Sequence, residues 1–207
     1  MIDHARDLKS VDEATERLLA AVAGLDNAAA AEPSRLPGWS RGHVLAHLSR
    51  NADAIGNVLA GLPMYASAEV RDADIERDAH RPLAVQLADL RESAARFRER
   101  TALPADWSRT VTLRNGVTDT ASRVPFRRWA EMELHHVDLG IGYELEDLSA
   151  EFTEREIAFL RDRFAADPAV AGVTGPAPAL LGWLSGRGDG KVLTVPGGGA
   201  LPVLPGL

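Results

Sequence analysis

The spacing of apolar residues predicts four long helices. Apolar side chains recur three and four residues apart in four segments, the repeat that lines one face of an α-helix. A shorter polar segment over residues 67–79 also has helical character. The four long segments cover residues 14–25, 40–62, 82–100 and 125–140. The first two thirds of the chain are therefore predicted to be mainly α.

Capping residues support these limits. Ser10 and Glu13 have the spacing of a capping box and place the start of the first helix. Ser40 is a favourable N-cap for the second. Pro82 and Pro125 suit the first turns of the other two helices, where a missing N–H costs nothing. Residues 26–38, which contain two prolines, are predicted to form a loop.

A small β-hairpin is predicted between the third and fourth long helices. Residues 110–118 alternate β-forming side chains around Asn115-Gly116, a dipeptide typical of hairpin turns. Further on, helices are predicted over 154–166 and 180–184 and a strand over 191–195. This C-terminal part is too rich in Gly and Pro to supply an independent core, so it is expected to pack on the bundle.

Composition excludes several functional classes. The net charge of −7 provides no basic surface for nucleic acid. No apolar run reaches the roughly 18 residues that a membrane helix needs, and the N-terminus is too polar for a signal peptide, which predicts a cytoplasmic protein. Cysteine is absent, so any thiol chemistry must use a thiol from a small molecule.

A metal site is the strongest chemical candidate. Glu131 and His135 are four residues apart on one predicted helix, so their side chains lie on the same face. His47, on another helix, offers a third ligand, and two histidines with one carboxylate are typical of catalytic Zn²⁺. Two alternatives remain open from spacing alone. The Glu131–His135 pair also fits an ordinary solvated helix face. His43 and His47 are themselves four residues apart on one predicted helix, so spacing does not say which of them would bind the metal.

Four motifs resemble the mycothiol-dependent maleylpyruvate isomerases, members of the DinB-like metal-binding proteins. They are LPGWSRGHVLAHL at 36–48, RDADIE at 71–76, EMELHHVDLG at 131–140 and GRGDG at 186–190. The resemblance implies a DinB-like four-helix bundle with a small β-hairpin, followed by a short α+β domain. The implied limits are 1–148 for the bundle and 149–207 for the second domain.

The same resemblance implies roles for particular residues. The zinc ligands of the family fall on His47, Glu131 and His135, and its active-site arginines fall on Arg71 and Arg187. A guanidinium binds a carboxylate through two hydrogen bonds, which suits an acidic substrate. The alternative for Arg71 is a salt bridge with a neighbouring acid, and for Arg187 a turn in a Gly-rich loop.

The implied reaction is the conversion of maleylpyruvate to fumarylpyruvate with Zn²⁺ and mycothiol as cofactors. The thiolate would add to the cis double bond, and elimination after rotation would return the thiol. The alternatives are a mycothiol S-transferase acting on another electrophile and a non-catalytic module that binds metal or thiol. The expected partners are a small electrophilic acid and a low-molecular-weight thiol. Nucleic acid and membranes are not expected partners, and the protein should be a monomer or a weak homodimer.

Overall fold

A computed structural model of the chain describes residues 3–204, so the ends of the predicted domains at residues 1–2 and 205–207 lie outside it. The structure is mainly helical, with one small antiparallel sheet, as predicted. The chain forms two compact units, one through Gly142 and one from Tyr143. The domain limits of 148 and 149 stay a prediction. No helix within residues 3–204 has the length and apolar character needed to cross a membrane.

The first unit contains six helices and two strands among its described residues. They are α1 His4–Val22, α2 Asn27–Ala31, α3 Arg41–Leu59, α4 Ala68–Ala79, α5 Leu83–Ala102, β1 Thr110–Thr112, β2 Thr118–Thr120 and α6 Val124–Asp138. The bundle consists of α1, α3, α5 and α6. Helix α3 packs against α5, α4 and α6, while α1 packs against α6. Because α3 touches these three helices and also α2, its side chains reach most of the interior.

The first helix is longer than predicted. It begins at His4, where the Asp3 carboxylate accepts a hydrogen bond from the Arg6 N–H at 3.1 Å. The predicted capping box at Ser10 and Glu13 is wrong, because no residue before Ser10 interrupts the helix and an earlier cap is available. The predicted loop over 26–38 also contains the short helix α2, for which Asp26 supplies the cap.

The hairpin is confirmed. Strands β1 and β2 pair in antiparallel register, with Thr110 opposite Thr120 and Val111 opposite Asp119. Asn115 and Gly116, between the strands, have φ angles of 59° and 74°. This left-handed region is favourable for Gly and tolerated by Asn, which explains the signal in the sequence.

Helix α4 approaches α3 closely at Gly42. A Cβ atom at this position would lie 2.3 Å from the carbonyl oxygen of Ala79, closer than real Cβ contacts. Glycine therefore allows the end of α4 to contact the first turn of α3. This contact places the side chains of α4 beside those of α3.

The second unit contains α7 Ala150–Arg163, α8 Pro168–Ala171 and α9 Ala177–Leu184, and α7 packs against α9. The predicted strand over 191–195 is wrong, since this segment makes only an isolated bridge between Thr174 and Thr194. The reason is local. The N–H of Lys191 donates to the Asp189 side chain and that of Leu193 to the Gly190 carbonyl, so a turn uses these donors.

Candidate metal centre

Helices α3 and α6 meet along an antiparallel seam. At one end the Arg41 guanidinium donates to the Leu139 carbonyl at 2.8 Å, and at the other Arg128 donates to the Asn51 side chain at 2.8 Å. Rising residue numbers on α3 thus face falling numbers on α6. The predicted metal ligands lie between these two contacts, so the packing of α3 on α6 brings them together.

His47, Glu131 and His135 offer three donor atoms that all lie within 4.8 Å of one another. The His47 Nε2 and His135 Nε2 atoms are 2.9 Å and 3.3 Å from the same oxygen of Glu131. Ligands bound tetrahedrally to zinc at about 2.0–2.1 Å lie roughly 3.3 Å apart, so the group needs only small shifts to hold an ion. The donor set therefore fits a metal with an open coordination position.

Asp138 supports one of these ligands from behind. Its carboxylate, 1% exposed, lies 2.8 Å from Nδ1 of His135. A carboxylate accepts hydrogen bonds, so Nδ1 donates to Asp138, and Nε2, which faces Glu131, is the atom that would bind a metal after losing its proton. Such carboxylate–histidine pairs fix the ring orientation at many metal sites.

Burial and mutual hydrogen bonds shift the pKa values of all three candidate ligands. Burial lowers the pKa of His47 to about 4, although Glu131 opposes this shift. Burial alone would raise the pKa of Glu131, but hydrogen bonds from His135 and His47 hold it well below its usual value. Burial opposes protonation of His135, yet Asp138 and Glu131 raise its pKa. An ionised Glu131 and a neutral His47 are the forms a metal requires, whereas a metal would have to displace the proton that the raised pKa favours on His135.

Arg71 reaches this group from α4. Its Nη2 lies 3.4 Å from Nδ1 of His47, and its Nη1 donates to Asp72 at 2.5 Å. The salt bridge considered from the sequence is therefore present, and the same side chain also touches a candidate ligand. The guanidinium carbon lies 5.8 Å from the ring centroid of Tyr65. Arg71 thus places a positive charge at the edge of the candidate metal centre.

Tyr65 was missed by sequence reasoning because it lies in an irregular segment between α3 and α4. Burial raises the pKa of its phenol, and the charge of Glu131 adds to this shift. Tyr65 also lines a cavity of about 590 Å³ between that segment and the hairpin. No spacing pattern in the sequence links residue 65 to the ligands, and only its position in space does so.

A second group of possible ligands, His43, Glu76 and His80, lies near the first. Glu76 and His80 have side chains that are 68% and 67% exposed, unlike the buried His47. Nδ1 of His43 accepts the backbone N–H of Ser40 in the capping box, so its Nε2 carries the proton and donates to Glu76. Because Glu76 and His80 lie on an exposed surface, the geometry favours the first, more buried group.

Trp129 and Trp39 differ in burial and in their neighbours. Trp129 is buried, and its Nε1 donates to Glu133 at 2.9 Å. Trp39 is only partly buried, and its ring centroid lies 5.6 Å from that of His47 and 6.1 Å from that of His43. The Trp39 ring thus lies beside the candidate metal centre. His136 is buried, consistent with a packing role.

Arg187 belongs to the second unit, in the loop after α9. Its backbone N–H donates to the Gly182 carbonyl at 2.7 Å, and its side-chain Nη1 donates to the Ser185 carbonyl at 3.1 Å. The preceding Gly186 has a φ of 74°, which closes the turn. The part that Arg187 plays in substrate binding stays a prediction.

Comparisons with known proteins identify a family and a fold. The sequence profile of the mycothiol maleylpyruvate isomerase N-terminal domain matches residues 11–140, more than half of the chain. The comparison with curated proteins gave no match. The solved mycothiol-dependent maleylpyruvate isomerase superposes with a TM-score of 0.86 at 23% identity, covering 99% of this chain and 97% of the other. A mutant of that enzyme gives the same score and coverage at 22% identity. At such identity the structural likeness demonstrates a shared fold.

Proposed function

The chain belongs to the mycothiol maleylpyruvate isomerase N-terminal domain family, and from this premise we propose that it is a zinc- and mycothiol-dependent cis–trans isomerase. The proposed reaction converts maleylpyruvate to fumarylpyruvate. The observation that carries the proposal is the convergence of His47, Glu131 and His135 from α3 and α6, with donor atoms within 4.8 Å. A cytoplasmic monomer or weak homodimer is part of the same proposal.

The protein's own residues have distinct tasks in this scheme. His47, Glu131 and His135 would hold the zinc, and Asp138 would keep the ring of His135 oriented by accepting its Nδ1 proton. When bound, the zinc would lower the pKa of the thiol, whose reversible addition to the cis double bond permits rotation and regenerates the thiol on elimination. Because the chain contains no cysteine, no protein thiol competes for this role.

Arginines would bind the two carboxylates of the substrate. Arg71 lies 3.4 Å from His47 and holds its charge at the edge of the metal centre. Its side chain is 12% exposed, so a carboxylate that displaced Asp72 would be bound in a largely dry setting, where charge-assisted hydrogen bonds are strong. We assign the second carboxylate to Arg187. Both guanidiniums stay charged throughout the reaction, so they orient the substrate and exchange no proton.

Metal content after substitution tests the ligand assignment. Purified protein should carry about one zinc per chain. His47→Ala and His135→Ala should lose the metal and the isomerase activity together. His43→Ala is the matched control, since His43 is also a buried histidine on α3 but has a backbone N–H on its Nδ1. Equal metal loss in all three variants would contradict the assignment.

Omission of the thiol tests the reaction. Isomerisation should be absent in thiol-free buffer and should return on addition of mycothiol, with the thiol recovered unchanged. Mycothiol that becomes covalently joined to the product would identify a transferase instead. Metal and thiol binding without any turnover would identify a binding module. Turnover by protein free of bound thiol would refute the proposed chemistry.

A further inference from the structure

Arg128 is an unusual residue in the bundle interior. It is 1% exposed and lies on α6, three residues before Glu131. Its Nη1 donates to the Asn51 side chain at 2.8 Å, whereas its buried Nη2 has no hydrogen-bond partner among the described residues. The part of the chain that the structure describes gives it no salt bridge. A full positive charge is therefore buried with a single neutral acceptor.

This arrangement costs stability. Burial lowers the pKa of Arg128 to about 10, and the charges of Glu131, Tyr65 and Asp53 oppose the shift only partly. The side chain is thus still charged at neutral pH. The single hydrogen bond to Asn51 offsets only part of the cost of burying this charge, so the stability of the fold does not explain it. Groups that break a packing rule without a structural gain are found mainly at functional sites.

The position of Arg128 relative to the candidate ligands follows from helix geometry. Asn51 is four residues after His47 on α3, and Arg128 is three residues before Glu131 on α6. Residues three or four apart lie on the same face, about one turn or 5.4 Å along the axis. Because the two helices are antiparallel, the Arg128–Asn51 pair forms the next layer of the same seam. It lies directly beneath the His47–Glu131 pair.

We propose that Arg128 is a positioning residue whose fixed positive charge beneath the metal centre strengthens the binding of an anionic ligand, a thiolate or a carboxylate, at the open coordination position. The inference rests on the proposed function, because it takes the metal centre as the binding site. The reasoning is electrostatic. A cation one layer away in a poorly solvated interior attracts an anion without touching it. A neutral residue of similar size would fill the same space without this attraction.

The test compares Arg128→Met, which removes the charge, with Arg128→Lys, which keeps it. Arg127→Met is the matched control, since the partly buried Arg127 is the adjacent residue on α6 and pairs with Asp119. The probe is mercaptoacetate, a small thiol with a carboxylate, titrated into Co²⁺-loaded protein and followed by visible absorption. Thermal unfolding of the metal-free proteins is measured in parallel. Arg128→Gln replaces the methionine variant if that variant does not fold.

We expect Arg128→Met to bind mercaptoacetate about tenfold more weakly, equivalent to about 1.4 kcal/mol. Its metal-free protein should still unfold cooperatively, with a Tm lowered only by the loss of the hydrogen bond to the buried Asn51 side chain. Arg128→Lys should recover most of the affinity, and Arg127→Met should retain it. The proposal is overturned if Arg128→Met binds as well as the wild type, or if the lysine variant binds as weakly as the methionine variant. The binding titration does not depend on isomerase activity. Wild-type protein that binds the probe but does not isomerise maleylpyruvate in a separate assay would therefore refute the proposed function and leave this inference standing.

Discussion

The buried carboxylate of Asp138 offers a sharp test of the metal centre. It is 1% exposed and lies 2.8 Å from Nδ1 of His135. Asp138→Ala removes the acceptor and leaves the Nδ1–H of a candidate ligand unpaired. Asp138→Asn keeps an acceptor oxygen of similar shape but loses the negative charge. The two variants therefore separate the orientation of the ring from the charge behind it.

The expected magnitudes follow from this geometry. Removing an acceptor behind a ligating histidine typically weakens metal binding by about 10–100-fold, or about 1.4–2.7 kcal/mol. Asp138→Ala should fall near the upper limit, because both orientation and charge are lost. Asp138→Asn should fall near the lower limit, because charge-assisted hydrogen bonds are roughly twice as strong as neutral ones and only this difference is lost.

The assay is competition for Zn²⁺ against a chromophoric chelator at neutral pH. Glu76→Gln is the control, since Glu76 also forms a carboxylate–histidine pair, 3.0 Å from Nε2 of His80, but on an exposed surface. Its zinc affinity should equal that of the wild type. Wild-type affinity in Asp138→Ala would refute the supporting role of this carboxylate. An equally large loss in Glu76→Gln would move the metal to the second group of ligands.

Three further predictions concern pH, substrate binding and packing. In metal-free protein, the unfolded chain protonates His47 near the usual histidine pKa of 6.5 and the folded chain only near 4. The unfolded state thus binds more protons at His47 between these values, so the contribution of His47 to stability should fall by up to about 3 kcal/mol as pH drops from 6.5 to 4. Denaturant titrations of His47→Gln should therefore show a shallower fall than those of the wild type. If Arg187 binds a substrate carboxylate, Arg187→Lys should lower kcat/KM by roughly ten- to a hundred-fold with unchanged metal content, whereas an exposed turn residue predicts wild-type kinetics. Gly42→Ala should lower the free energy of unfolding by about 1–3 kcal/mol, because its Cβ would lie 2.3 Å from the Ala79 carbonyl oxygen. Gly24→Ala is the control and should not destabilise the protein, because a Cβ there would have nothing within 4 Å. Equal urea midpoints for the two variants would contradict the close approach of α4 to Gly42.

Local patterns in the sequence were sufficient for most of the secondary structure. The apolar repeat located α3, α5 and α6, Ser40 caps α3 as predicted, and Asn115-Gly116 lies between the hairpin strands. These features depend on backbone preferences and hydrogen bonds between residues a few positions apart. The same locality explains the errors at the first helix and at residues 191–195. At the first helix, Asp3 forms a cap earlier in the chain than the pattern indicated. At residues 191–195, the Lys191 N–H donates to Asp189 within a turn and is not available to a strand.

The sequence also indicated the chemistry of the candidate ligands, since Glu131 and His135 share a helix face by their spacing alone. The sequence could not choose between His43 and His47 without the resemblance to a family, because the two histidines are four residues apart and lie on the same face of one helix. The structure separates them by their neighbours, since Glu131 beside His47 is partly buried whereas Glu76 and His80 beside His43 are exposed, and by the Ser40 N–H on Nδ1 of His43. That difference depends on the packing around α3, which no local pattern records.

Other features of the centre arise only in the tertiary structure. The Tyr65 ring centroid lies 5.8 Å from the Arg71 guanidinium carbon, and Arg128 contacts Asn51 because α3 and α6 pack antiparallel in one particular register. Residues 51 and 128 are 77 positions apart, so their contact depends on how whole helices bury their apolar faces. The sequence by itself determined which elements form and which residues can bind a metal. The packing of α3, α4 and α6 decided which charges surround the candidate metal centre, because electrostatic interactions act through space and only the fold sets those distances.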